Sequence, residues 1–92
     1  MDWRQWFKQI ASDKELTSET LRVLLVIIAT LDDSFAQISQ VEIAKEIGIK
    51  REQAARAIRR LVQKGIITKE LRGGKLVGYR VVDTYTRERF SV

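Results

Sequence analysis

Ser39-Gln40-Val41-Glu42-Ile43-Ala44-Lys45-Glu46-Ile47-Gly48-Ile49-Lys50-Arg51-Glu52-Gln53-Ala54-Ala55-Arg56-Ala57-Ile58-Arg59-Arg60-Leu61 is the stretch whose reading decides the fold. Ser39 and Glu42 stand at capping-box spacing. The serine hydroxyl accepts from the Glu42 amide, and the carboxylate reaches back to the Ser39 amide. They predict a short helix over Gln40–Ile47, with Val41, Ile43, Ala44 and Ile47 as its apolar positions. Gly48 then supplies a turn through positive φ. After Ile49 the pattern predicts a second helix over about 51–64, stopped by Gly65 at the position where glycine usually ends helices. Ala54, Ala57, Ile58, Leu61 and Val62 are its inward positions. At 100° per residue, Ile58, Leu61 and Val62 fall within roughly 80° of Ala54. Glu52, Arg56, Arg59 and Gln63 fall on the opposite side, with Gln53 and Arg60 beside them.

Working outward, two extended stretches follow, at 66–71 and 76–82, the second with Val77, Tyr79 and Val81 on one face. Arg72-Gly73-Gly74-Lys75 between them reads as a hairpin turn. Upstream, Thr17 or Ser18 caps a helix that runs to about Leu31, with Leu21, Leu24, Leu25, Ile28 and Leu31 as its expected buried stripe. Asp32-Asp33-Ser34 ends it, and Phe35 to Ile38 is a candidate brief strand. Trp3, Trp6, Phe7 and Ile10 recur at three and four, the spacing of an amphipathic helix of about three turns. The last residues, 84–92, read as a short helix or a loose tail. With no proline, repeat, low-complexity tract or linker, residues 1–92 are expected to form one continuous domain. The expected class is α+β, mainly α. A three-helix core carries an added N-terminal helix and a β-hairpin wing, the layout of a winged helix-turn-helix.

Composition narrows the function classes. The chain has 92 residues and a net charge of +5, with no cysteine and no histidine. Disulfides, thiolate nucleophiles and Cys-based zinc sites are excluded, as are the commonest general base and metal ligand. Serine and lysine alone form no recognisable nucleophile–base pair, so no catalytic residue, cofactor or metal ligand is assigned. Asp32 and Asp33 are adjacent acids, but without carboxylates at loop-ligand spacing they read as a helix-terminating turn. The longest apolar run, 23–29, is far too short for a membrane span. The N-terminus has no basic region followed by an apolar one. A soluble cytoplasmic protein without a membrane partner is the expectation.

Charge is unevenly placed. Residues 48–80 hold ten bases and two acids, net +8, whereas the rest of the chain is net −3. A helix with one apolar and one basic face, followed by a basic hairpin, suits double-stranded DNA. The helix is narrow enough for the major groove, and the hairpin tip reaches the flanking backbone or minor groove. The expected contacts are Lys50, Arg51, Glu52, Gln53, Arg56, Arg59 and Arg60 on the helix, with Arg72 and Lys75 on the wing. The alternative is a winged-helix module that docks on another protein. Such a module has no need to concentrate its excess charge on this helix and turn. Trp3, Trp6 and Phe7 either cap the core or pair two chains. One short reading helix spans only a few base pairs, so a homodimer on a two-fold site is expected.

The residues also carry a resemblance. The run from Ser39 to Ile49 looks like the first half of many bacterial regulator helix-turn-helices. The run from Arg51 to Leu61 resembles the recognition helix of the catabolite-activator (Crp/Fnr) family. There an Arg-Glu-x-x-x-Arg spacing reads base edges, which would place that role on Arg51, Glu52 and Arg56. The longer stretch from Leu16 to Val82 is similar to the winged helices of plasmid replication initiators and MarR-type regulators. The resemblance implies a small transcriptional regulator or a plasmid or phage replication factor. This sequence departs from those families at three places. Lys50 stands where Ser or Thr usually caps the helix, Gln53 where Thr is common, and Ala54 where a larger apolar residue is usual. A cyclic-nucleotide-sensing domain is not recognised, and no small-molecule effector is carried over.

Overall fold

The computed structural model describes residues 3–85. The elements run α1 (Trp3–Ala11), α2 (Ser18–Thr30), β1 (Phe35–Ala36), α3 (Gln40–Ile47), α4 (Arg51–Gln63), β2 (Ile67–Arg72) and β3 (Lys75–Val81). The strands form one antiparallel sheet in the order β1-β3-β2. This is the winged arrangement that the sequence pattern predicts: α2, α3 and α4 form the core, α1 is added, and the β2–β3 hairpin is the wing.

Local chemistry sets most boundaries. Thr17 caps α2, its hydroxyl accepting from the Thr20 amide at 3.2 Å. Both arms of the Ser39–Glu42 capping box are present at 3.1 Å, and α3 ends at Gly48 with φ 70°. At the wing tip Gly73 and Gly74 take φ 57° and 79°. Positive φ at both central residues is what a two-residue turn of the hairpin-favouring hand requires. Asp33 also takes positive φ, 58°, in the turn after α2, a conformation that aspartate tolerates better than most residues.

The core is built from Val23, Leu24 and Ile27 of α2, Ile43 of α3, Ala54, Ile58 and Leu61 of α4, and Ile66, Ile67 and Tyr79 around the sheet. Ala54 and Ala57 are both buried on α4, which packs against α2 and α3. Their small side chains let the helices approach closely. α1 is tied to the far end of the chain by Trp6, whose Nε1 donates to the Val82 carbonyl at 3.0 Å.

Three expectations are corrected. The α2 stripe holds at Leu24, which is buried, and at Leu21, Ile28 and Leu31, which pack partly buried against the core, but Leu25 is 57% exposed, and Val23 and Ile27, not expected in the stripe, are fully buried. Val41 also faces solvent. The brief strand is only Phe35–Ala36, since pairing with β3 stops there. As expected, α4 ends within one residue of Lys64, its cap, with Gly65 beyond it at φ 73°. Of the segment 84–92, Tyr85 is buried, and residues 86–92 lie outside the described residues. Among the described residues no helix is long and apolar enough to cross a membrane.

Candidate nucleic-acid interface

The outer face of α4 is built by its inner one. With Ala54, Ala57, Ile58 and Leu61 buried, helical geometry turns Glu52, Arg56, Arg59 and Arg60 outward. All four are exposed, as is Arg51 in the first turn. None of their side chains has a hydrogen-bond or ion-pair partner among the described residues. Four guanidiniums are therefore presented to solvent on one helix, with no ion-pair partner among the described residues.

Two flanks border this face. On one side Arg51 lines a cavity of about 360 Å³ together with Ser39 and Val41 of the α3 start and Leu76 and Val77 of the wing. On the other, Arg56 and Arg60 line a smaller one of about 170 Å³ with Thr17, Glu19 and Thr20 at the start of α2. The reading helix thus lies between the first turn of α2 and the wing.

The helix entrance is organised differently from a serine cap. Lys50 sits at the cap position with extended backbone and no side-chain cap, since an ammonium cannot accept a hydrogen bond. Instead the Lys50 amide donates to the Gln53 carbonyl oxygen at 2.8 Å. The Gln53 amide nitrogen in turn donates to Glu19 at 3.1 Å, joining α4 to α2. Gln53, one of the expected DNA contacts, has both ends of its side chain engaged inside the protein. Lys50 keeps its own ammonium in solvent.

On the wing, Lys69, Arg72 and Lys75 are exposed. The Arg72 guanidinium lies 5.3 Å from the centre of the Phe35 ring, with Arg80 at 5.4 Å from the same ring. Phe35 reaches this place because residue 78 is glycine. A Cβ there would lie 2.7 Å from the ring and collide with the Ala36 carbonyl. Arg80 donates to Glu70 at 3.1 Å and to Ser34 at 2.9 Å. That hydrogen bond holds the Glu70 carboxyl below the usual range.

Lys64 is also withdrawn from the basic surface. It is buried at the end of α4, 3.0 Å from Asp13 and 2.7 Å from Glu15. Tyr85 donates to the other side of the cluster, 2.6 Å from Asp13. Burial alone would raise the Asp13 pKa. Hydrogen bonds from Tyr85, Lys64 and the Glu15 amide outweigh it and leave the carboxyl below the usual range. Burial likewise pulls Lys64 down, and its bonds to Glu15 and Asp13 hold it above the usual range. Of the ten bases between 48 and 80, Lys64 and Arg80 are thus used internally. Sequence reading missed this, because the partners Asp13 and Glu15 lie about fifty positions away from Lys64 and no local motif joins them.

Residues 14–67 match the family model of a helix-turn-helix domain. The chain belongs to the helix-turn-helix domain family. The matched segment takes in α2, α3 and α4, so α3 and α4 are the two helices of the motif. A comparison with curated protein sequences finds no match. Among solved structures the chain is similar to a mutant of S. aureus MepR bound to an oligodeoxyribonucleotide, with a TM-score of 0.63 and 18% identity. The likeness covers 91% of this chain and 68% of that one. At this identity the likeness is one of fold. The likeness in fold takes in more of the chain than the family model does.

Proposed function

We propose that this helix-turn-helix protein is a small transcriptional regulator that binds double-stranded DNA in a sequence-specific manner. α4 would enter the major groove, and the wing would meet the flanking strand. The observation that carries the reading is the outer face of α4, where Arg51, Arg56, Arg59 and Arg60 stand exposed without a partner among the described residues, with Glu52 beside them. A patch of uncompensated guanidiniums on a groove-sized element is the footprint of a phosphate-binding surface. The fold match supports it, since the MepR mutant it resembles was bound to an oligodeoxyribonucleotide.

Roles within the site follow from position. Arg51, Glu52 and Arg56 lie in the first turns of α4, the part that enters a groove most deeply, and are assigned to base edges. Lys50, Arg59, Arg60, Arg72 and Lys75 are assigned to phosphates. Gln53 is assigned the support of the helix entrance. We further propose a homodimer on a two-fold site, paired through α1, where Trp3 and Phe7 remain exposed beside buried Trp6. The reading gives the protein no chemistry of its own and implies the cytoplasm as its compartment.

The test is a selection from random duplex DNA with the full chain. An enriched motif with two-fold symmetry is the expected result. A pool that stays random at low salt would overturn the proposal.

A further inference from the structure

We infer that the wing carries an apolar wedge for the minor groove next to the groove that α4 enters. The inference rests on the DNA reading above and adds a second element of recognition to it. Leu71 and Leu76 are register partners across the hairpin, one residue inside its tip, and they are 59% and 41% exposed. Two facing leucines left in water forgo the burial that usually accounts for such side chains. The register of the hairpin shifts between Glu70 and Leu71. Irregularities of this kind re-aim the side chains beyond them.

The shape around the pair fits a narrow groove. The tip consists of Gly73 and Gly74, and the space where a Cβ would sit is open at both. Bare backbone leads at the tip, so the leucines one residue behind it can follow into a groove about 6 Å wide. The charge around the pair is positive, from Lys69, Arg72 and Lys75, and the nearby acid, Glu70, is held by Arg80. An apolar centre ringed by cations matches a base step between two phosphate rows. Leucine is among the residues that proteins insert between base steps in the minor groove. Leu76 also borders the same cavity as Arg51. Leu76 and the first turn of α4 therefore border one cleft, with Leu71 as the register partner of Leu76, and a duplex holding α4 in its major groove would offer its next groove to the wing.

The test uses the full chain on a duplex carrying its selected site, with 2-aminopurine placed singly at each flanking step. The wedge predicts that wild-type binding raises the probe's emission at one flanking step. Leu71→Ala with Leu76→Ala should abolish that rise and weaken binding about tenfold, because little apolar burial is left to gain. Both leucines are exposed, so the variant should keep the wild-type circular dichroism and melting temperature. Wild-type binding with a silent probe at every flank, or an unchanged affinity in the double variant, would overturn the wedge and leave the DNA reading standing. Failure of the wild type to bind any duplex at low salt would overturn the DNA reading itself. A second arm adds vesicles of anionic lipid. Leucine-dependent vesicle binding with no change at the DNA probe would also overturn the wedge.

Discussion

Arg60 and Lys64 are one turn apart on the same helix and lead opposite lives. Arg60 stands in solvent without a partner among the described residues, while Lys64 is buried between Asp13 and Glu15. The wing repeats the contrast, with Lys75 exposed and Arg80 paired to Glu70. A formal charge count treats these four alike. Only the exposed ones can exchange counterions for phosphates, so the footprint of the site is smaller than the charge of the segment. The internal ones hold the frame: Lys64 joins the end of α4 to the α1–α2 connection, and Arg80 joins the wing to the turn before β1.

The comparison can be broken at the buried side first. Lys64→Ala leaves Asp13 buried without its cation. It should destabilise the fold by about 3 kcal/mol, read by urea unfolding, while the folded fraction keeps its DNA affinity. A change below 0.5 kcal/mol, the level typical of surface substitutions, would mean that the cluster holds nothing. The same cluster has a pH signature. The Asp13 carboxyl is held below its usual range, so its contribution is full above the unfolded-state value and is lost as pH falls through the folded one. Below about pH 4, Asp13→Asn should therefore lose less further stability than the wild type does.

The wing frame comes next. Gly78→Ala puts a methyl against the Ala36 carbonyl and the Phe35 ring. The backbone carbonyl cannot rotate away, so a loss of about 2 kcal/mol is expected by thermal unfolding. Freeing the Phe35 ring should also weaken the hold on Arg72, and DNA affinity should fall with stability. An unchanged melting temperature would show that β1 is dispensable.

On the exposed side, Arg56→Ala should leave stability within 0.5 kcal/mol and remove about 1.5 kcal/mol of discrimination at one base position. Arg59→Ala should instead weaken all sequences alike. A panel of single-base site changes separates the two outcomes, and uniform losses for Arg56→Ala would refute its assignment to a base edge. The smallest effect is expected at Gln53, whose amide holds the Lys50 amide and Glu19. Gln53→Ala should cost about 0.5 to 1 kcal/mol of stability and leave base preference unchanged. A changed base preference would return Gln53 to the reading face.

How far the sequence could be read follows the same division. The bounds of α3 were legible to the residue because Ser39, Glu42 and Gly48 act on their own neighbours. The outer face of α4 was legible because alanines and arginines alternate there at helical spacing. The bounds of α2 were legible, but its buried face only in part, since residues 23–29 are apolar all round and offer no polar side to orient the helix. Its face is chosen by what α3 and α4 present to it, which buries Val23 and Ile27 and leaves Leu25 out. Lys64, Arg80 and Phe35 escaped because their partners come from other elements, and local spacing carries no record of them.

On the proposed reading, DNA is held by the exposed cations of α4 and the wing, and not by the charge of the segment as a whole. The most direct measurement is the salt dependence of duplex binding for the wild type and single variants. If about five phosphates are neutralised, log K should fall with log[salt] at a slope near −4 to −5. Arg59→Ala and Lys75→Ala should each reduce that slope by about 1, and Lys64→Met should leave it unchanged. A flat response in the wild type, or a slope that Lys64→Met lowers as much as Arg59→Ala does, would contradict the account.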